Sequence, residues 1–371
     1  MLRKFKVSNF KNFDKDFILD LTDINGYEFN QECVKNGIIN NALIYGHNGV
    51  GKSNLALAIF DIIEHLTDKN RSEHVYQNYL NAYSESDYAE FYYEFLINAK
   101  IITYEYRKTD YKTISYEKFT IEGEEFVFFD RTQSSNATIK FKGAETLKTE
   151  ITNNELSVLK YIKNNTELES NLINVAFADF FRFVESMLYF RSLEDRMYLG
   201  LEVGGKNILE DIIEKGNVKD FENFLNMAGI ECKLSEVNDL NKKTLVFNFN
   251  GKVLPFDKAV STGTSALTLF YFWFQSIREY TKVSFLFIDE FDAFYHHELS
   301  ALVVKKLKET GVQFILTTHN TSIITNDLLR PDCYFLMNKQ KIRSLSKCTP
   351  KELREAHNIE KMYKAGAFNV N

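Results

Sequence analysis

Proline is nearly missing from this sequence, with three residues in 371 (Pro255, Pro331 and Pro350). No Gly/Ser-rich linker and no internal repeat divides the chain either, which excludes domains strung on flexible tethers and leaves one architectural unit carrying insertions. Cysteine is scarce: Cys33, Cys232, Cys333 and Cys348 stand far apart in sequence with no C-x-x-C pair. That spacing argues against a zinc site and a disulfide framework, and it fits buried or incidental thiols in a reducing compartment. Long apolar runs are missing as well. The stretch from Ala266 to Phe274 reads as a core helix too short to span a bilayer, and the basic start Met1 to Val7 has no apolar segment behind it, so neither a membrane protein nor a secreted one is expected. The expectation is a cytoplasmic protein. Cationic excess is the last absence: a net charge of −6 and a pI near 5.8 give no global reason to bind nucleic acid or an anionic membrane. The lysine pairs Lys242-Lys243 and Lys305-Lys306 read as solvated surface.

What is present is ordinary globular material, 44% hydrophobic and 26% charged, enough for a large core. Residues 38–45 look like a strand entering a glycine-rich turn, after which Leu55, Ile59 and Ile62 recur at helical spacing. From about Ala89 to Lys142, alternating aromatic and β-branched residues predict an antiparallel meander. Thr152-Asn153-Asn154-Glu155 has the form of a capping box, and helical periodicity runs from there to about Gly229, including the apolar segment Leu172 to Phe190. Leu245-Phe247, Phe285-Ile288 and Phe314-Leu316 then read as strands with helices between, completing a parallel sheet begun before the glycine-rich turn. The predicted fold is α/β, a mainly parallel core sheet with an antiparallel β-subdomain and an inserted helical lobe. The expected division is a first core part at 1–86, the β-subdomain at 87–148, the helical lobe at 149–235 and the second core part at 236–371.

Residues Gly46-His47-Asn48-Gly49-Val50-Gly51-Lys52-Ser53 match GxxxxGK[ST] in full, between an apolar strand and an amphipathic helix. Glycines at that spacing let backbone N–H groups wrap phosphates at a helix N-terminus. Lys52 supplies a point charge to the β and γ phosphates of ATP, and Ser53 supplies a hydroxyl to Mg²⁺. Asn54 follows within the first helical turn. Phe285-Leu286-Phe287-Ile288-Asp289-Glu290 is an apolar strand that carries charge only at its C-terminal tip, where α/β sheets bind ligands. Asp289 is the expected second metal-side group, and Glu290, one residue on, is the expected base that polarises water for attack on the γ phosphate. Phe314 to His319 repeats the pattern and predicts His319 as a γ-phosphate sensor. Ser261-Thr262-Gly263-Thr264-Ser265 precedes the apolar helix, and two readings of it are equal from spacing alone: a plain helix cap, or a hydroxyl and open N–H groups offered to a phosphate.

In this order the motifs resemble an ABC-type ATPase of the SMC, Rad50 and RecF branch, and the opening Val7-Ser8-Asn9-Phe10-Lys11-Asn12-Phe13 is similar to the first strand and turn of that branch. More narrowly, Ser261-Thr262-Gly263-Thr264 resembles the SSGT form of the signature segment in the AAA15 group, related to OLD-family and abortive-infection ATPases, and residues 357–368 are similar to a tail of the same group. The resemblance implies a homodimer, in which Ser261, Gly263 and Thr264 of one subunit cap the γ phosphate held by Lys52 of the other. It also implies that Asp292 lies in the loop after the catalytic glutamate and that His296 matches a family histidine, with Tyr295 and His297 replacing its usual neighbours; His296 and His297 are read as structural. No glutamine stands near Asp87, where the resemblance calls for one, and no Toprim nuclease segment is expected after the ATPase. From these readings comes the expected function: an ATP-hydrolysing sensor and assembly component of an antiphage, abortive-infection system, gating a separately encoded effector by ATP-dependent dimerisation. The alternatives are a DNA-clamping repair ATPase and a nucleotide-gated scaffold with negligible turnover.

Overall fold

The computed structural model describes residues 1–69, 76–191, 198–200, 208–239, 242–278 and 283–370. Two seven-stranded sheets dominate it. The first begins with β1 (Leu2–Ser8) and β2 (Phe17–Asp20); a small hairpin, β3 (Val34–Lys35) with β4 (Ile38–Ile39), then leads into β5 (Asn41–Tyr45) and α1 (Lys52–Leu66). The aromatic segment forms β6 (Ala89–Ile97), β7 (Lys100–Lys108), β8 (Ile114–Ile121), β9 (Glu124–Asp130) and the short β10 (Thr138–Ile139), an all-antiparallel meander that β1 and β2 extend. Its β6 strand alternates buried and half-buried residues without a break, as one face against a core demands. Asn98-Ala99 and Glu122-Gly123, all at positive φ, make the two-residue turns that match strand twist.

Next come α2 (Val158–Asn165) and α3 (Leu172–Glu185), then β11 (Met187–Arg191) and β12 (Tyr198–Gly200). A smaller lobe follows with α4 (Ile208–Glu214), α5 (Val218–Met227), β13 (Leu234–Asp239), β14 (Lys242–Phe249), β15 (Lys252–Pro255) and α6 (Phe256–Ala259). The chain returns through α7 (Thr262–Arg278), β16 (Phe285–Asp289), α8 (His297–Thr310), β17 (Gln313–Thr318), β18 (Tyr334–Met337), β19 (Ile342–Ser344) and α9 (Ile359–Lys364). The core sheet runs β12-β11-β16-β17-β5-β18-β19, parallel from β11 to β18 and closed by an antiparallel strand at each end. The α/β architecture with a mainly parallel core is thus the one expected.

Helix α1 lies between the two sheets. Tyr93 of the meander donates to the Ala58 and Ile59 carbonyls at 2.8 and 3.2 Å, and Phe60 packs on Tyr189 and Phe285 of the core. Every residue of α1 except Ser53 and Asn54 is buried, so the helix is covered all round and its first turn alone opens outward.

Three local expectations differ from the structure. The capping box at Thr152 to Glu155 does not start a helix: Asn153 accepts from the Glu155 N–H in a turn of its own. Helix α2 starts at Val158, where the Ser157 hydroxyl accepts from Leu159 and Lys160 and the buried Glu117 carboxylate accepts from Val158 N–H at 2.7 Å. The apolar run to Phe190 is not helical throughout, because Met187 to Phe190 form β11; all four are buried, and a strand covered on both faces has no alternation to read. Residues 192–197 and 201–207 of that segment lie outside the described residues. Leu245-Phe247 belongs to β14 of a separate three-stranded antiparallel sheet, where α4 and α6 cover it, and not to the core sheet. All four cysteines are free, and three of them are buried.

Candidate active site

Five consecutive buried residues of β5 deliver the chain to Gly46 at the C-terminal edge of the core sheet. A Cβ on Gly46 would stand 2.9 Å from the Met337 carbonyl oxygen, so the loop can pass β18 here only without a side chain. Gly51 is at φ +105°, and a Cβ there would run into the Asn12 side chain at 2.4 to 2.7 Å. Helix α1 therefore starts abruptly, with no side-chain cap on its first N–H groups, which are the donors that an anion at a helix N-terminus uses.

Lys52 is buried, and its Nζ donates to the Gly46 and His47 carbonyls at 2.6 and 3.2 Å. Burial holds its pKa below the usual lysine value, against the opposing pull of Asp289, Glu290 and Asp292. The next residue reaches across the sheet: Ser53 Oγ donates to Asp289 Oδ2 at 2.5 Å. Asp289 is wholly buried, and its Oδ1 accepts from Thr317 Oγ1 at 2.6 Å, while Glu290 N–H donates to that same hydroxyl at 2.8 Å. Glu290 sits at φ 49°, in the left-handed region, so the chain turns sharply once β16 ends. Its side chain forms one wall of a cleft of about 250 Å³ whose other walls are Asn12, Asn48, Gly49, Gly51, Lys52, Ser53 and Asn54.

Two groups in or beside this cleft were given no role from the sequence. Asn12, in the turn after β1, accepts from Asn54 Nδ2 at 2.6 Å and fills the space beside Gly51. Arg191, the last residue of β11, pairs in register with Asp289 and places its guanidinium 3.6 Å from that carboxylate and 3.4 Å from Glu290. Burial works against the Arg191 charge, yet Asp289 and Glu290 outweigh it and raise its pKa.

The remaining expected residues do not line the cleft. His319 stands exposed just beyond β17. Asp292 is buried, accepts from Thr318 Oγ1 at 2.8 Å, and has its pKa raised by that burial. Ser261 caps α7 in the ordinary way, accepting from Thr264 N–H at 3.2 Å and sharing a hydroxyl contact with Thr264 at 2.9 Å, but Ser261 and Thr262 remain exposed. Gly263 lies by the Phe294 carbonyl. Behind the loop, Tyr363 of α9 packs edge-on against Tyr45 at 5.0 Å, so the C-terminal segment braces the strand that feeds Gly46.

The donor set fits Mg²⁺. Ser53 and Asp289 bring one hydroxyl and one carboxylate together beside the phosphate loop, and a small hard cation bound mostly through phosphates and water needs no more from protein. Among the described residues no cluster of three or more His, Cys, Asp or Glu offers a self-sufficient metal cage, and no helix is long and apolar enough to cross a membrane.

Residues 42–325 match the family profile described as "AAA domain, putative AbiEii toxin, Type IV TA system". Among solved structures, the SMC head domain from Thermotoga maritima is 16% identical with a TM-score of 0.46, covering 92% of this chain and 98% of its own. An SMC head bound to the C-winged helix domain of ScpA is 17% identical with a TM-score of 0.48, covering 93% and 98%. The Pyrococcus furiosus SMC head with an extended coiled coil is 12% identical with a TM-score of 0.46, covering 93% and 97%. No curated protein matches this sequence.

Proposed function

The chain belongs to this AAA family, whose profile spans the phosphate loop, the Asp289-Glu290 strand and His319, and we propose that it is an ATPase whose site is completed by a second copy. The observation that carries this reading is the division of the motifs. Lys52, Ser53 and Glu290 line one cleft with Asp289 hydrogen-bonded to Ser53, whereas the exposed end of α7 at Ser261 and Thr262 lies outside it. In a head-to-tail pair, Ser261, Gly263 and Thr264 of one subunit would close over the γ phosphate held by Lys52 and the loop residues Gly46 to Asn54 of the other. Ser53 and Asp289 would hold Mg²⁺, which neutralises phosphate charge when bound. Glu290 would take the proton of the attacking water, and His319 would meet the terminal phosphate once closure brings the halves together.

A composite site has a signature that a self-contained one lacks. Lys52→Ala and Ser261→Arg should each abolish turnover alone, but an equal mixture should recover about a quarter of wild-type activity, since half the dimers keep one intact site. Phosphate release from the mixture measures this. No recovery, or full activity of Ser261→Arg alone, refutes the shared site.

The physiological role we infer is that of a sensor and assembly component in bacterial defence, with ATP-driven dimerisation gating a separate effector. The family description, which names AbiEii and a type IV toxin–antitoxin system, supports it. Purification from the native operon with ATP and without it should recover a second gene product in a nucleotide-dependent amount. Recovery of this chain alone in both states counts against the role.

A further inference from the structure

Asp289, the carboxylate at the tip of β16, carries its charge in a site closed to solvent. Lys52 spends its hydrogen bonds on the Gly46 and His47 carbonyls. Asp289 is wholly buried, and its hydrogen bonds come from neutral hydroxyls, Ser53 on one oxygen and Thr317 on the other. Neutral donors do not cancel a buried charge. Besides the field of Lys52, Asp289 has an ion-pair partner in Arg191, supplied by the neighbouring parallel strand, whose register from Met187 against Phe285 ends with Arg191 opposite Asp289.

We propose that Arg191 is a positioning residue that serves as the resident cation of this site before Mg²⁺ arrives and holds the Glu290 carboxylate at the cleft wall. This rests on the ATPase reading. Three features of the contact carry it. Arg191 addresses both carboxylates at once, from a rigid strand end and not from a loop. Its contacts of 3.6 and 3.4 Å are longer than those of a tight bidentate pair, and its side chain is 36% exposed, so it is held by charge and can be displaced. It also approaches Asp289 at Oδ2, the oxygen that Ser53 contacts. A metal ion held by Ser53 and Asp289 would compete with the guanidinium for that oxygen, because two cations there repel. The guanidinium would then keep Glu290 as its neighbour, steering the carboxylate that the reaction uses. Since arginine stays protonated throughout the working pH range, the exchange needs no proton transfer.

The test uses the full chain with Arg191→Gln and Arg191→Lys. Titration of the nucleotide-free protein with Mn²⁺ alone, followed calorimetrically, should show at least about tenfold tighter binding in Arg191→Gln, because the competing cation is gone. With ATP, the same variant should lose about a hundredfold in kcat with KM within about threefold of wild type, the split expected of a group that positions Glu290 without binding the nucleotide. Arg191→Lys, which keeps the charge but not the fork, should return Mn²⁺ affinity most of the way and kcat only in part. Wild-type Mn²⁺ affinity in Arg191→Gln overturns the resident-cation role; wild-type kcat overturns the positioning role. A wild-type protein without turnover would instead refute the ATPase reading, and the Mn²⁺ titration would still decide the cation role.

Discussion

Glu290→Gln is expected to lower ATP turnover by about a hundredfold or more while leaving nucleotide affinity close to wild type, and to trap the dimer in the presence of ATP. The size follows from what a positioned general base contributes, about 10²–10⁴ in rate. The separation from binding follows from placement. Glu290 forms the cleft wall, whereas the groups expected to grip phosphate are the loop, Lys52 and the opening turn of α1. Glutamine is nearly isosteric, so the left-handed backbone at φ 49° and the Glu290 N–H bond to Thr317 should survive the change. Single-turnover phosphate release and light scattering with and without ATP read the two halves of the prediction. If the oligomeric state and nucleotide occupancy match wild type, hydrolysis is not what opens the dimer, and a nucleotide-gated scaffold becomes the better account.

Turnover and trapping are worth separating because the residues that were legible in sequence are those whose chemistry is contiguous. The phosphate loop could be read because its spacing, its strand and its helix are continuous from Asn41 to Leu66. Asp289-Glu290 could be read for the same reason, since an apolar strand with charge only at its tip needs no partner to be recognised. Arg191 could not. It is distant from both motifs in the chain and becomes a neighbour of Asp289 only because β11 pairs with β16, a register that no local pattern encodes. Asn12 sat in plain view in the opening turn, but its meaning depends on Gly51 leaving room for it. The strand β11 was itself obscured by burial on both faces, and the start of α2 by a buried carboxylate, Glu117, that caps from another strand. Ser261 raises a different difficulty. Its cap geometry satisfies the bland reading fully, while the functional one concerns a surface that a single chain leaves exposed.

The largest stability effect is expected away from the cleft, at the third turn of the helix that begins with Lys52. Asp61 and Lys108 are both wholly buried and joined at 2.6 Å; Tyr79 and Tyr106 donate to the same carboxylate, each at 2.9 Å. The pair ties α1 to the end of β7, across the interface between helix and meander. Removing one partner deprives a wholly buried charge of this counter-ion, so Lys108→Met or Asp61→Leu should each cost about 3–5 kcal/mol. Replacing both should cost much less than the sum, because neither charge of the pair is then left behind without the other and the surrounding helix and sheet can close on apolar atoms. Denaturant unfolding of the four proteins gives the coupling energy directly. Additive costs would mean that the two charges are solvated independently, in conflict with their complete burial. Because α1 carries Lys52 and Ser53 at its other end and is covered along the whole of its length, the single variants should also bind ATP more weakly than the double one. Loss of binding in all three alike would instead assign the effect to altered packing of α1, and not to the charge.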